Sequence, residues 1–258
     1  TNLTATVASS TAVNLAWTDA SSNETGFAIE RKAGAGAYSQ IATVAAGVTT
    51  YASTGLTPDT AYTWRVRAYN AGGNSAWSNE AAATPNSPPA APTNLTATVA
   101  SSTAVNLAWT DASGNETGFA IERKAGAGAY SQIATVAAGV TTYASTGLAP
   151  DTAYTWRVRA YNAGGNSAWS NEAAATPPSL PAAPTNLTAT VASSTAVNLA
   201  WTDASSNETG FAIERKAGAG AYSQIATVAA GVTTYASTGL TPDTAYTWRV
   251  RAYNAGGN

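Results

Sequence analysis

The chain has no cysteine, no histidine and no methionine, and only 10% of its 258 residues are charged. Without cysteine, neither a disulfide framework nor a thiolate metal site can form. Without histidine, the commonest general base and metal ligand is missing. The charged fraction lies well below the roughly 25% usual in soluble proteins. A net charge of −2 leaves no basic surface able to hold a phosphate backbone, so nucleic acid is excluded as a partner. No apolar run approaches the ~20 residues of a membrane span. No signal peptide is visible. The chain starts on Thr1 and stops in mid-repeat, which reads as a mature fragment or a window on a longer array.

What the chain has is repetition. The words TNLTATVASSTAVNLAWTD begin at Thr1, again at Thr93 and again at Thr185, a period of 92 residues. Over the first 84 positions, copies one and two differ only at Ser22/Gly114 and Thr57/Ala149. Copy three matches copy one at all 74 positions it has. A specific active site needs one good copy, whereas reach, multivalency and assembly need many. The repeat divides the chain into domains at 1–84, 93–176 and 185–258, with linkers at 85–92 and 177–184. At 45% apolar residues, each copy can bury one core and is no disordered tract.

Within a copy the runs are short, β-branched and aromatic, alternate with period two, and are separated by turn residues. Leu3, Ala5 and Val7 alternate in a first strand. Val13, Leu15 and Trp17 alternate in a second, with Asn14, Ala16 and Thr18 on its other face. Phe27 and Ile29 face inward in a third, with Ala28, Glu30 and Lys32 opposite. A glycine-bearing turn, Lys32 to Ala37, leads to a fourth strand around Tyr38–Val44, and a fifth follows around Thr49–Ser53. The strongest pattern is Thr60–Asn70: Tyr62, Trp64, Val66 and Ala68 on one face, Thr63, Arg65, Arg67 and Tyr69 on the other. After the turn Asn70–Asn74, a last strand is expected over Ser75–Thr84. Seven strands in one copy predict a small all-β sandwich. Each linker carries four prolines in eight residues and reads as a semi-rigid polyproline II spacer between the sandwiches. An elongated rod is therefore expected.

The spacing of Trp17, of Leu56-x-Pro58, of Tyr62-x-Trp64-x-Val66-x-Ala68-x-Asn70 and of Gly73-x-Ser75 resembles the fibronectin type III domain, in its bacterial or archaeal extracellular branch. The resemblance covers all three copies. It implies three tandem immunoglobulin-like sandwiches of seven strands, an extracellular or cell-surface setting, no catalysis and no cofactor. It also implies that Trp17 is the core tryptophan of the second strand and Tyr62 the tyrosine-corner residue. The third copy ends at Asn258, the counterpart of Asn74, and so lacks the expected last strand. An open sheet edge of that kind invites a strand from another chain, unless the cut is only a window effect.

The acids of one copy are Asp19, Glu24, Glu30, Asp59 and Glu80. Asp19 and Glu24 share one loop and are the only local pair for glycosidase chemistry; with Asn23 they could also offer oxygens to calcium. The plainer reading is a solvated turn whose side chains bond nearby amides. Glu30, Arg65 and Arg67 are expected to pair across adjacent strands. Tyr69 and Trp77 are less easily buried than the core aromatics. The pair recurs as Tyr161 and Trp169, while Tyr253 has no tryptophan partner. These five residues form a candidate interaction surface, either stacking on a sugar or another chain or covering each other. The sequons at Asn23, Asn115 and Asn207, and at Asn2, Asn94 and Asn186, are candidate N-glycosylation sites, the loop set being the better acceptors.

Three functions follow as expectations. The first is a non-catalytic microbial stalk, fibre or filament built by homopolymerisation of the chain, with strand exchange as one route. The second is a spacer in a secreted polysaccharide-degrading enzyme. The third is a glycan-binding adhesin acting at the cell surface.

Overall fold

The computed structural model describes residues 1–258 and contains strands but no helix. In the first domain these are β1 (Thr4–Ser9), β2 (Ala12–Ala16), β3 (Gly26–Ala33), β4 (Ser39–Ala45), β5 (Thr50–Ser53), β6 (Tyr62–Asn70), β7 (Gly73–Asn74) and β8 (Ala81–Ala83). The order β1-β2-β5 makes one antiparallel sheet, and β4-β3-β6-β7 the other, with β8 also on β6. Valine, threonine and aromatic side chains suit a pleated surface buried on one face. Their alternation puts Leu3, Val13, Leu15, Trp17, Phe27, Ile29, Leu56, Tyr62, Trp64 and Val66 between the sheets in one cluster. Trp17 meets Phe27 edge-on at 5.7 Å. Trp64 is fully buried, and its indole N–H donates to Ser53 Oγ at 3.2 Å. Thr57 N–H donates to Tyr62 Oη at 3.0 Å, the corner bond that the resemblance implied.

The second domain repeats this with β9 (Thr93–Ser101), β10 (Ala104–Thr110), β11 (Gly118–Ala125), β12 (Ser131–Ala137), β13 (Thr142–Ser145), β14 (Tyr154–Asn162), β15 (Gly165–Asn166) and β16 (Ala173–Ala175). The third has β17 (Thr185–Ser193), β18 (Ala196–Thr202), β19 (Gly210–Ala217), β20 (Ser223–Ala229), β21 (Thr234–Ser237) and β22 (Tyr246–Tyr253). Its sheets have three strands each, and the turn after β22 forms the single bridge Asn254–Gly257.

The continuous last strand expected over Ser75–Thr84 is two short pieces, β7 and β8, joined by an irregular run. The cause is side-chain competition for the ladder. Ser75 Oγ accepts from Ala68 N–H and Ser78 Oγ from Val66 N–H, both at 3.0 Å. The β6 donors are thereby satisfied without a regular partner strand. Asn79 then ties the two sheets together, its Oδ1 accepting from Leu3 N–H and its Nδ2 donating to Leu3 C=O, each at 2.9 Å. Ala28, expected on the outer face of β3, is buried there beneath its cross-strand neighbours.

The linkers are not free spacers. Pro85, Pro89 and Pro92 are buried, and Ser87 is half-buried. Asp59, in the left-handed conformation at φ 57°, donates its N–H to Pro85 C=O and accepts from Ser87.

Candidate functional site

The outer face of the β4-β3-β6 sheet carries the chain's densest cluster of charged and aromatic groups. Arg65 stands opposite Glu30 in the register and donates to its Oε2 through Nε at 2.9 Å and Nη2 at 2.6 Å. The same guanidinium lies 4.0 Å from the Tyr38 ring centre and 4.1 Å from that of Trp77. Arg67 lies 4.2 Å from the Trp77 centre. Arg65 and Arg67 are two residues apart on one strand, a spacing of roughly 6.6 Å. An indole fits between two such guanidiniums, so both faces of Trp77 are covered. Lys32 closes the other end of the stack over Tyr38 at 4.7 Å.

The second domain reproduces the stack with Lys124, Tyr130, Arg157, Trp169 and Arg159. The third keeps Lys216, Tyr222 and Arg249. Arg251, with no indole to stack on, turns to Glu214 at 3.5 Å.

Tyr69 and Trp77 share this outer face but do not stack on each other, since Arg67 stands between them along β6. The Tyr69 ring lies over Gly26, its register partner: a Cβ built on Gly26 would sit 2.9 Å from Tyr69 Oη. Tyr161 covers Gly118 and Tyr253 covers Gly210 in the same way. The five aromatic residues of the candidate surface are thus half-buried, packed on arginine or glycine. A sugar stacking on Trp77 or Trp169 would first have to displace an arginine.

Asp19 and Glu24 remain neighbours in their loop, and the other carboxylates are dispersed. Glu30 is held by Arg65, and Glu80 faces Lys32 at 3.7 Å. Asp19 Oδ1 accepts from Ser21 N–H at 2.9 Å, a local loop bond. Asp59 is held below the usual carboxylate range by the Ser87 hydroxyl and then by the Ser87 amide.

Among the sequons, Asn23 Nδ2 is free of protein bonds, whereas Asn115 Nδ2 donates to Ser87 C=O at 3.0 Å and Asn207 Nδ2 to Ser179 C=O at 2.9 Å. Asn2, Asn94 and Asn186 each sit in a left-handed conformation near φ 54°, donating weakly to Thr18, Thr110 and Thr202. The sequence reading missed the residues that join the domains: Asp59, Ser87, Asn162 and Gly164. The one signal available was the serine kept at the third place of both linkers, whose flanking residues differ.

The fibronectin type III domain family matches residues 1–84, 90–176 and 182–258. The chain belongs to that family. These fibronectin type III domains are 35% identical over the whole chain to exoglucanase B of Cellulomonas fimi, covering 24% of that protein. They are 34% identical to endoglucanase B of Cellulomonas fimi over 95% of the chain and 25% of the relative. They are 32% identical to chitinase A1 of Niallia circulans over 66% of the chain and 24% of the relative. The tandem therefore spans about a quarter of the curated relatives it matches. In fold it is similar to the FN1–FN3 domains of chicken CNTN1, with a TM-score of 0.57 at 22% identity, over 99% of this chain and 93% of the other.

Proposed function

We propose that the tandem is a non-catalytic spacer in an extracellular polysaccharide-degrading protein. The observation that carries this reading is the end-to-end match to a quarter-length stretch of exoglucanase B, joined by matches to an endoglucanase and a chitinase. These relatives favour the spacer over the filament that repetition alone suggests. The side chains fit the role. Glu30 and Glu80 are spent on ion pairs, and Asp59 on a linker. Trp77 is sandwiched rather than offered to a sugar. Substrates of this class are polymers too large to enter a cell, which supports a location outside it.

The test is removal of residues 1–258 from the full-length protein that carries them. Hydrolysis of crystalline cellulose or chitin should fall while hydrolysis of soluble oligosaccharides stays unchanged. The reading fails if the full-length protein hydrolyses no polysaccharide, or if the isolated chain does so by itself.

A further inference from the structure

Each of the two junctions between domains is closed by a closely similar set of bonds, made by residues that look like ordinary turn formers. At the first, Asp59 at the trailing end of domain 1 grips the linker: Asp59 N–H donates to Pro85 C=O at 2.7 Å, Ser87 N–H donates to Asp59 Oδ1 at 2.9 Å, and Ser87 Oγ donates to Oδ2 at 2.5 Å. Domain 2 grips the same serine from the other side. Asn115 Nδ2 and Asn162 Nδ2 both donate to Ser87 C=O, at 3.0 and 2.9 Å. A direct bond then crosses between the domains without the linker, Ser10 N–H to Gly164 C=O at 2.9 Å.

The second junction repeats the backbone bonds and the asparagine bonds through Asp151, Ser179, Asn207 and Asn254, with Ser102 N–H donating to Gly256 C=O at 2.8 Å; the Ser179 hydroxyl differs from that of Ser87, accepting from Asn207 Nδ2 at 3.1 Å. The two linkers differ at Asn86/Pro178 and Pro88/Leu180, yet both carry the serine at the clamp.

Comparison of equivalent positions shows that the bonds belong to a fitted interface. Gly72, Gly164 and Gly256 occupy one place in the repeat. Gly72 is exposed, whereas Gly164 and Gly256 are buried. A Cβ on Gly72 would meet only Asn70 Oδ1 at 3.2 Å. On Gly164 it would collide with the Asn86 carbonyl of the linker, and on Gly256 with that of Pro178. Asn162 is buried and Asn70 is not. At the same pole of domain 1, a groove of about 580 Å³ lies between Trp17, Phe27, the loop at 19–23 and the run at 75–78. In domain 2, Phe119 and Ala160, the counterparts of Phe27 and Ala68 in that lining, are fully covered.

We infer that the leading pole of this repeat, formed by the asparagines of its two loops and the glycine carbonyl between them, is a binding surface for the trailing pole and Pro-x-Ser linker of another copy of the same repeat. Each joint is therefore locked in one orientation. A tandem of these domains holds its ends at a set distance and twist, whereas proline content alone would fix only the local φ of the linker. This rests on contacts between the repeats and holds whether or not the spacer reading does.

The absence of cysteine makes the test direct. Spin labels on Ala35→Cys and Ala127→Cys, exposed turn positions in domains 1 and 2, report the interdomain distance by pulsed dipolar spectroscopy. The otherwise unmodified chain should give one narrow distribution. Gly164→Ala should replace it by a broad one, and Gly72→Ala, the same change away from a joint, should leave it narrow. Asn162→Asp, which sets a carboxylate oxygen against the Ser87 carbonyl, is the second variant, with Asn70→Asp as its control. Circular dichroism confirms that each variant is folded. Loss of the narrow peak in either joint variant, with both controls narrow, supports the locked joint. A broad distribution in the unmodified chain, or narrow peaks in both joint variants, overturns it and leaves a flexible spacer standing.

Discussion

Domains 2 and 3 share nearly every residue up to Asn166 and Asn258, and yet they close differently. Domain 2 gathers twelve buried residues in its core, and domain 3 gathers seven. Leu95 is 4% exposed, but its counterpart Leu187 is 37% exposed, and Val191 reaches 75%. Trp156 is wholly buried, whereas Trp248 is only partly covered. The difference traces to residues 167–176, which contribute just three residues of regular strand, Ala173–Ala175. These residues act mainly through side chains. Ser167 and Ser170 satisfy β14 amides, Asn171 clasps Leu95, and Trp169 holds Arg159 and Arg157 over the sheet. Without them Arg249 rises to 61% exposed, against 27% for Arg157, although both keep a glutamate partner. The sandwich is thus closed by polar clasps at an edge, and the apolar alternation alone leaves it ajar.

The largest way to break the comparison is to give residues 185–258 the counterpart of residues 167–177. Appending Ser-Ala-Trp-Ser-Asn-Glu-Ala-Ala-Ala-Thr-Pro after Asn258 should bring Leu187, Val191 and Trp248 to the burial of Leu95, Val99 and Trp156. Each large apolar side chain taken from partly exposed to buried contributes up to about 1.5–3 kcal/mol. Domain 3 should gain several kcal/mol, read as amide exchange protection of β18 and β22 rising to that of β10 and β14. Unchanged protection in domain 3 would mean that the segment is a decoration.

A smaller break removes one clasp from domain 2. Asn171→Ala leaves the Leu95 N–H and C=O without their partners, in a part-buried position. The expected loss is about 1–3 kcal/mol. It should be concentrated in β9, where the exchange of Leu95 would approach that of Leu187. Equal loss across β9 to β16 would show that Asn171 supports the whole fold instead of one edge.

The sandwich was legible because its core residues state their own period. Tyr62, Trp64, Val66 and Ala68 against Thr63, Arg65, Arg67 and Tyr69 leave no other register, and Trp17 and Tyr62 fall where the family resemblance places them. The last strand was expected to be continuous because the apolar run Ala81–Ala83 follows a segment, Ser75–Glu80, that carries no glycine or proline to break it. A serine can end a ladder by taking its amide, and composition does not reveal when it does so. The joints were illegible for another reason. Asp59 and Ser87 lie 28 residues apart, as do Ser87 and Asn115, while Ser87 and Asn162 lie 75 apart. Each is a common turn residue by itself. Only their convergence gives them a role, and a single sequence does not display convergence between residues that distant. The Tyr–Arg–Trp stack was half legible: the exposed position of Trp77 was visible, but not the two arginines that cover it.

The smallest effect sharpens the comparison from the alkaline side. Burial, and then the neighbouring Glu80 carboxylate, push the Tyr38 hydroxyl up to about 12. Tyr130 is pushed up to about 12 by burial and by Glu172. Neither glutamate has a counterpart among residues 185–258. An unfolded tyrosine ionises near 10. The raised folded values mean that the folded chain holds these protons more tightly than the unfolded one. The stability so contributed is fully present below pH 10 and is lost as pH rises through 12. Urea unfolding followed from pH 9 to pH 12 should therefore show domains 1 and 2 weakening across this window. Tyr38→Phe and Tyr130→Phe should flatten that slope by removing the titrating hydroxyls while leaving Arg65 and Arg157 an aromatic face to stack on. A slope that persists in the double variant would place the alkaline sensitivity in other groups and confine the effect of Glu80 and Glu172 to their lysine pairs.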